Sequence, residues 1–416
     1  MIRKKNAIVL GAGIVGISAA IHLQKRGVAT VLVDRQGPGE GTSYGNAGII
    51  EGNTLFPYPF PRSVRALTRV VLKLATEANY HAGFLPRIAQ WLWNVRQATT
   101  PEGLESTARI MRPMFGRALA EHEELLEAAS AQRYLRRTGW LRVYRSEGAL
   151  DKMTKELALA DEYGIPYRKL SLEESLALEP SLAPVFRHGV LWPEAASYSN
   201  PLGVSRAFNA HYLSLGGENA KGDARTLKRT SGGWSVTTED GEVQAEEAVI
   251  ALGPWSPDIL RPLGIDLPLA VKRGYHWHFS AKGNASLSRP VLDAEVGFIL
   301  GPMEQGIRLT TGAEFAHRDA PPTPVQIDRL MPYARNLFPL GEPVEPKPWL
   351  GSRPCFWDSR PVIGRAPGQK GLWLDYGHGH SGLTLGPVSG RLLAEMMTGA
   401  TPFTDPSPFR AKRFSQ

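Results

Sequence analysis

The sequence predicts a mixed α/β (α+β) protein in which a βαβ domain, begun at the N-terminus, carries an inserted antiparallel-sheet and helical domain. Three observations predict it. A strand, a glycine-rich turn, a helix and a second strand follow one another within residues 7–34. Helical periodicity dominates 56–184. Strand-like runs from Leu267 to Phe315 precede a final strand, glycine-rich loop and helix after Trp349.

Ala7-Ile-Val-Leu10 reads as the first strand. The start, Met1-Ile-Arg-Lys-Lys, has the basic character of an export signal, but the apolar run that follows breaks at Gly11, too soon for one. Ile14, Val15, Ile17, Ala20, Ile21 and Leu23 then recur at helical spacing until Gly27, and Val28–Val33 forms a second strand ending on Asp34. Trp91, Trp93 and Trp140 fall in the 56–184 stretch and are read with it as helical. Asn200-Pro201 starts a helix ending near Gly216, and Trp234–Thr238 and Gln244–Leu252 flank an Asp240-Gly241 turn. Leu267–Phe279, Gly297–Leu300 and Ile307–Phe315 read as strands and Val325–Phe338 as a helix; Gly399 stops the last helix. The division expected is 1–55, 185–265 and 345–416 in one discontinuous domain, with 56–184 and 266–344 in the other.

The 416 residues are 42% apolar and 21% charged, an ordinary folded chain. The one cysteine, Cys355, excludes an internal disulfide, a Cys-x-x-Cys pair and a multi-cysteine metal site, so a cytoplasmic, reducing setting and no metal are expected. No apolar run approaches the ~20 residues that span a bilayer. A net charge of +8 asks for an anionic partner, but zinc fingers and basic runs with interleaved aromatics are absent, so no nucleic acid is expected. Arg62–Ala75 places Val64, Leu67, Val70, Val71 and Leu74 on one helical face, with Arg65, Arg69 and Lys73 elsewhere. Such a helix can lie on the inner face of the cell membrane; more commonly its apolar face packs on its own domain.

Gly11-Ala12-Gly13-Ile14-Val15-Gly16 gains its meaning from context: it follows a strand, opens a helix, and is answered by Asp34 at the end of the next strand. Gly11 permits the tight turn, Gly13 lets backbone approach a pyrophosphate, and Gly16 lets the helix pack on the strand. Asp34 can accept both hydroxyls of an adenosine ribose and would repel a 2′-phosphate, leaving Arg35 near adenine or in solvent. The pattern is a Rossmann-like adenine-dinucleotide grip.

Further marks lie far apart: Thr42-Ser43 with Asn46-Ala47-Gly48, Gly253-Pro-Trp255-Ser, Gly351-Ser-Arg353-Pro, Pro361-Val-Ile-Gly364, and Gly377-His378-Gly379-His380-Ser-Gly382-Leu383-Thr384. In order and spacing they resemble the D-amino-acid oxidase and dehydrogenase family over the whole chain. The bacterial D-amino-acid dehydrogenase branch shares the Thr-Ser-x-x-Asn-Ala-Gly pattern. The resemblance implies an FAD-binding domain of the glutathione-reductase type, with Ala224 at the usual β-branched position of the adenine-contacting strand. A second dinucleotide fingerprint is absent, so no NAD(P)H site is implied. Independently of family, the helix opening near Leu383 could direct its N–H groups and dipole at the flavin edge that becomes negative on reduction.

What the resemblance implies for chemistry is hydride transfer from an amino acid Cα to flavin N5, with a quinone-type acceptor taking the electrons. An oxidase of glycine, sarcosine or another secondary amine using O₂ is the alternative, and a non-catalytic FAD-binding scaffold a different class. A substrate carboxylate calls for a cation in a dry pocket, and Arg353 is the first candidate. Tyr275 could donate its hydroxyl, and His378 and His380 flank the flavin loop; His276 and His278 face the opposite side of the strand from Tyr275. Two departures, Phe356-Trp-Asp-Ser-Arg360 before the Pro-Val-Ile-Gly motif and His380-Ser381, put D-alanine-type specificity in doubt. They leave room for D-proline or a hydroxy-D-proline.

Overall fold

The N-terminal βαβ unit of the computed structural model, which describes residues 3–52 and 60–414, runs β1 (Arg3–Leu10), α1 (Ile14–Gln24) and β2 (Thr30–Asp34). Met1, Ile2 and the expected domain boundary at 55/56 lie outside the described residues. β1 is central, parallel to β2 on one side (Ala7↔Thr30) and to Gly241–Ile250 on the other (Leu10↔Ile250). Its continuous apolar run is explained by burial on both faces: Val9 meets the α1 layer, while Ile8 and Leu10 join a second core. Leu372–Tyr376 extends the sheet in parallel beyond Gly241–Ile250, and Gly233–Thr238 folds back antiparallel at the predicted Asp240-Gly241 turn. The C-terminal helix, Gly382–Thr398, lies against α1 so closely that a Cβ at Gly390 would stand 2.6 Å from Ala19 N.

The second sheet has Leu269–Ala281 as its spine. Trp349–Phe356 pairs antiparallel along one edge (Lys272↔Arg353, His276↔Trp349), and Gly306–Thr310 along the other (His276↔Thr310). The sheet continues through Phe298–Met303 and Val291–Asp293 to Trp140–Tyr144, His188–Trp192 and Arg168–Leu170. Two segments expected in the first domain, 188–192 and 349–356, therefore hydrogen-bond into this sheet.

Three elements differ from the sequence reading. Trp140 is on a strand, Trp140–Tyr144, a short run buried on both faces except at Arg142 and paired on either side into the second sheet, which outweighs its helical surroundings. The predicted strand Ile307–Phe315 is broken at Thr311-Gly312, whose carbonyls turn to the Arg353 guanidinium instead of the ladder. The helix expected over Arg62–Ala75 is Val64–Val71, capped by Ser63 Oγ at Ala66 N (3.2 Å) and ended by Lys73 in the left-handed region (φ 56°). Its apolar face packs on its own domain only in part: Leu67 and Val70 are half-buried, while Val64 and Val71 are 81% and 63% exposed. Among the described residues, no helix is long and apolar enough to cross a membrane.

Candidate functional site

The turn after β1 needs glycine for two separate reasons. At Gly11 (φ 108°) a Cβ would stand 2.5 Å from Ala251 O, and at Gly16 it would stand 1.8 Å from Gly11 O. Gly13 is different, since its Cβ would meet only Ser43 Oγ at 3.2 Å, and its bare side borders an open cleft. Ala12 N donates to Asp34 Oδ2 (2.7 Å), which fixes the acid at the mouth of the turn. Ser43 Oγ accepts from Ile14 N (2.9 Å), so it caps α1 from outside, a role its hydroxyl alone did not announce.

The cleft brings together nearly every residue the motifs proposed. Gly11 to Val15, Asp34, Arg35, Thr42, Ser43, Asn46, Ala224, Gly253 and Trp255 line it, as do Tyr275, Arg353, His378 to His380, Gly382 and Leu383. Gly16, Ala47, Gly48 and Thr384 stand behind this lining. Thr384 Oγ1 ties the last helix to the Asn46 loop by donating to Ile49 O (3.1 Å), and Gly48 N donates to Asn46 Oδ1 (2.8 Å). Trp357 turns away and packs on Phe414, and Asp358 beside it pairs with Arg413 (2.7 Å). The departure at Phe356–Arg360 therefore anchors the C-terminus and does not border the cleft. The aromatic wall is Trp349, stacked on His276 with centroids 4.9 Å apart.

Arg353 is half-buried, and its fork is held by Gly312 O (2.9 Å) and Thr311 O (3.2 Å). The Tyr275 hydroxyl donates to Glu314 Oε2 (3.0 Å) and accepts from Thr323 N (2.7 Å); a substrate carboxylate would have to displace that bond. Glu314 is paired with Arg273 at 2.6 Å, both fully buried, and Arg273 also donates to His317 O (3.3 Å) and Pro321 O (3.0 Å). The cluster thus pins the loop that carries Arg318 to the cleft, where Arg318 pairs with Asp258 (2.9 Å). His380 is exposed at the rim, and its carbonyl accepts from Asn46 Nδ2 (3.4 Å).

Sequence reasoning missed three residues here. Asp375 lines the cleft fully buried, 3.4 Å from His378 Nε2, and burial holds its carboxyl well above the usual carboxylate range. Its signal was an acid on the inward face of Leu372-Trp-Leu-Asp-Tyr376. His122 reaches from the helix Pro101–Ala128 to Leu383 O (2.9 Å) and Thr384 O (3.0 Å), steadying the first turn of the last helix. Arg308 donates to Tyr44 O (3.0 Å), Asn46 O (2.5 Å) and His278 Nε2 (2.9 Å), with Glu345 on the far side of that imidazole. Neither His122 nor Arg308 sits in a local motif.

Arg308 clasps the Tyr44–Asn46 backbone from below, and burial lowers its pKa only to about 10, so it stays charged. Arg308→Met strands two half-buried carbonyls and the buried His278 Nε2, and should cost ~2–5 kcal/mol in urea unfolding. A loss below ~1 kcal/mol would mean that the loop is held by other contacts.

Burial lowers the pKa of His122 to about 4, of His378 to about 3 and of His276 to about 2. These imidazoles stay neutral in the folded chain at pH values where the unfolded chain protonates them. Stability is therefore fully present above the unfolded value of about 6.5 and falls as pH drops below it, by up to ~1.4 kcal/mol per pH unit for each. Urea midpoints at about pH 7.5 and 5 should show that fall, and His122→Gln should make it shallower. A slope unchanged in His122→Gln would contradict the assignment.

Compared with known proteins, residues 6–396 match the model of the family described as FAD dependent oxidoreductase. The chain belongs to that family. It is 27% identical to a D-amino-acid oxidase of Bradyrhizobium diazoefficiens, covering 99% of each chain. A D-amino acid dehydrogenase of Chromohalobacter salexigens is 28% identical, covering 98% of this chain and 99% of the relative. A glycine oxidase of Pseudomonas aeruginosa is 27% identical, covering 97% and 98%. The fold is shared with glycine oxidase from Geobacillus kaustophilus (TM-score 0.75, 21% identity, 99% of each chain). It is also shared with L-proline dehydrogenase from P. horikoshii (TM-score 0.76, 16% identity, 100% of this chain and 98% of that one). The cleft fits the cofactor. Beta-carbons added at Gly41, Gly379 and Gly382 would find no atom nearer than 3.6 Å, so the wall is bare where a long, flat ligand must lie close, with the N-terminus of α1 and Asp34 at hand.

Proposed function

We propose that this FAD-dependent oxidoreductase oxidises a D-amino acid at Cα, cyclic secondary amines such as D-proline and hydroxy-D-proline included. The electrons pass to a quinone-type acceptor. Arg353 carries the reading: a cation in the cleft wall whose fork is already oriented by Thr311 O and Gly312 O, on the strand that runs toward Trp349. It binds the substrate carboxylate, and its preset fork limits the ordering cost of doing so. Trp349 supplies an apolar wall for the side chain or ring, and His380 completes the rim. Asp34, the Gly11–Val15 turn and the Thr42–Asn46 loop hold the cofactor, with Ala224 and Trp255 along the lining. Bound FAD supplies a two-electron hydride acceptor. The N–H groups opening the helix at Gly382 would serve the edge where negative charge develops, and burial, which pushes the Asp375 carboxyl well above the usual carboxylate range, works against an opposing negative charge there. No protein nucleophile is required, because positioning and preorganised donors do the work.

The glycine oxidase relative favours a second reading, oxidation of a small primary or secondary amine with O₂ as acceptor. Turnover with one substrate separates the two. The dehydrogenase reading expects dye reduction undiminished without O₂ and little peroxide in air; peroxide formed one-for-one with substrate in air would overturn it.

A further inference from the structure

Residues 52–101 carry six basic side chains, Arg62, Arg65, Arg69, Lys73, Arg87 and Arg96, against one acid, Glu77, in a chain whose whole net charge is +8. In this stretch the surface is also apolar where it should be polar. Val64 is 81% exposed, Val71 63%, Leu72 60%, Leu74 63% and Trp93 56%, five of the chain's nine exposed large hydrophobics among the described residues. Isolated exposed apolar residues need no explanation, but such a concentration does. The basic side chains are not spent on internal pairing. Arg65, Arg69 and Lys73 are exposed, and no described carboxylate lies within ion-pair distance of them; Lys73 instead lies over the Tyr80 ring at 5.0 Å.

The platform is held firmly from within. Tyr80 Oη donates to Val71 O (2.6 Å), and an Arg62 guanidinium N–H donates to Arg96 O (2.5 Å), joining Val64–Val71 to the helix Leu85–Ala98. That second helix buries Ile88, Trp91 and Val95, and Trp91 Nε1 donates to Cys355 O (3.1 Å) on the strand that bears Arg353. Its opposite side presents Trp93.

We infer that the exposed faces of Val64–Leu74 and Trp93 dock on an anionic lipid bilayer. The valines and leucines enter the headgroup boundary, Trp93 sits at its level, and Arg65, Arg69 and Lys73 lie among the lipid phosphates. A second copy of this chain fits worse, since a face with this excess of one sign would meet like charge on any self-complementary contact. The docked face is tied through the helix Leu85–Ala98 to the strand that bears Arg353. Docking itself does not depend on the proposed acceptor.

The test is flotation of the full-length, FAD-loaded protein with vesicles of phosphatidylcholine alone or mixed with phosphatidylglycerol. The protein should rise with the mixed vesicles, less so as salt is raised, and not with phosphatidylcholine alone. Arg65→Glu/Arg69→Glu/Lys73→Glu should weaken the partition about a hundredfold or more, at ~1 kcal/mol for each basic residue near an anionic surface. Val71→Asp/Leu74→Asp should abolish it, with unchanged reduction of a soluble dye showing that both variants are folded and loaded. Should either variant misfold, a blue shift of wild-type tryptophan emission on mixed vesicles, absent in Trp93→Phe, reads the same contact. No flotation, equal flotation with both vesicle types, or charge-reversed protein that floats as well as wild type would overturn the inference. A solution dimer split by Val71→Asp/Leu74→Asp with vesicle binding unchanged would do so too, by assigning the face to a second copy. Flotation needs no turnover, so its failure and a failure of the quinone-type acceptor are read separately.

Discussion

Gly13→Val should give a folded but colourless protein, while Gly16→Val should give almost no folded protein. The two glycines are three residues apart in one motif, yet they answer to different neighbours. A Cβ at Gly16 would lie 1.8 Å from Gly11 O, a backbone atom fixed by β1, and no rotamer can relieve that. Overpacking in a rigid site costs ~1–3 kcal/mol, more when backbone must move, and here the central strand and helix would part. At Gly13 the only protein atom in the way is Ser43 Oγ at 3.2 Å, a side chain that can yield, so the fold survives. The isopropyl group then fills the space that a pyrophosphate requires at the helix N-terminus. Flavin absorbance and far-UV circular dichroism on the two purified proteins decide the matter. A yellow Gly13→Val holoenzyme would remove the Gly11–Gly16 turn from the cofactor site.

Arg353→Ala should raise KM by roughly 10²–10⁴-fold with flavin content retained, because two hydrogen bonds to a charged group are worth ~1.5–3 kcal/mol each. Loss of the guanidinium also frees Thr311 O and Gly312 O, which water can reach through the cleft. Arg353→Lys keeps the charge without the planar fork and should fall between the two. If flavin content drops in step with activity, Arg353 belongs to the cofactor and not to the substrate.

The N-terminal βαβ unit and several helix ends were legible because their signals are local. The βαβ order, the acid at Asp34, the helix begun at Asn200-Pro201 and the stop at Gly399 each follow from neighbours in sequence. The site was legible where a backbone had to pass close to a ligand, since only glycine permits that, and the motifs at 11–16, 42–48 and 377–384 do meet in one cleft. What holds those loops was not. Arg308 reaches Asn46 from 262 residues away, and His122 reaches Leu383 across 261, contacts made by tertiary packing alone. The Phe356–Arg360 departure misled because its place next to a motif suggested the pocket, whereas Trp357 lies past the end of the strand Trp349–Phe356 and packs on Phe414, and Trp349 at the start of that strand forms the wall. Tyr275 shows the same limit: its strand position was read correctly, but the buried Arg273–Glu314 pair that engages its hydroxyl is spread over three segments.

The central claim, an amine-oxidising cleft built around FAD and Arg353, is tested most directly by following the flavin absorbance of the holoenzyme without O₂ while D-, L- and N-methyl amino acids are added one at a time. The account predicts stoichiometric FAD that bleaches with D-amino acids, D-proline or hydroxy-D-proline among them, and not with their L-enantiomers. Stoichiometric FAD that no amine bleaches would contradict it and leave a cofactor-binding scaffold.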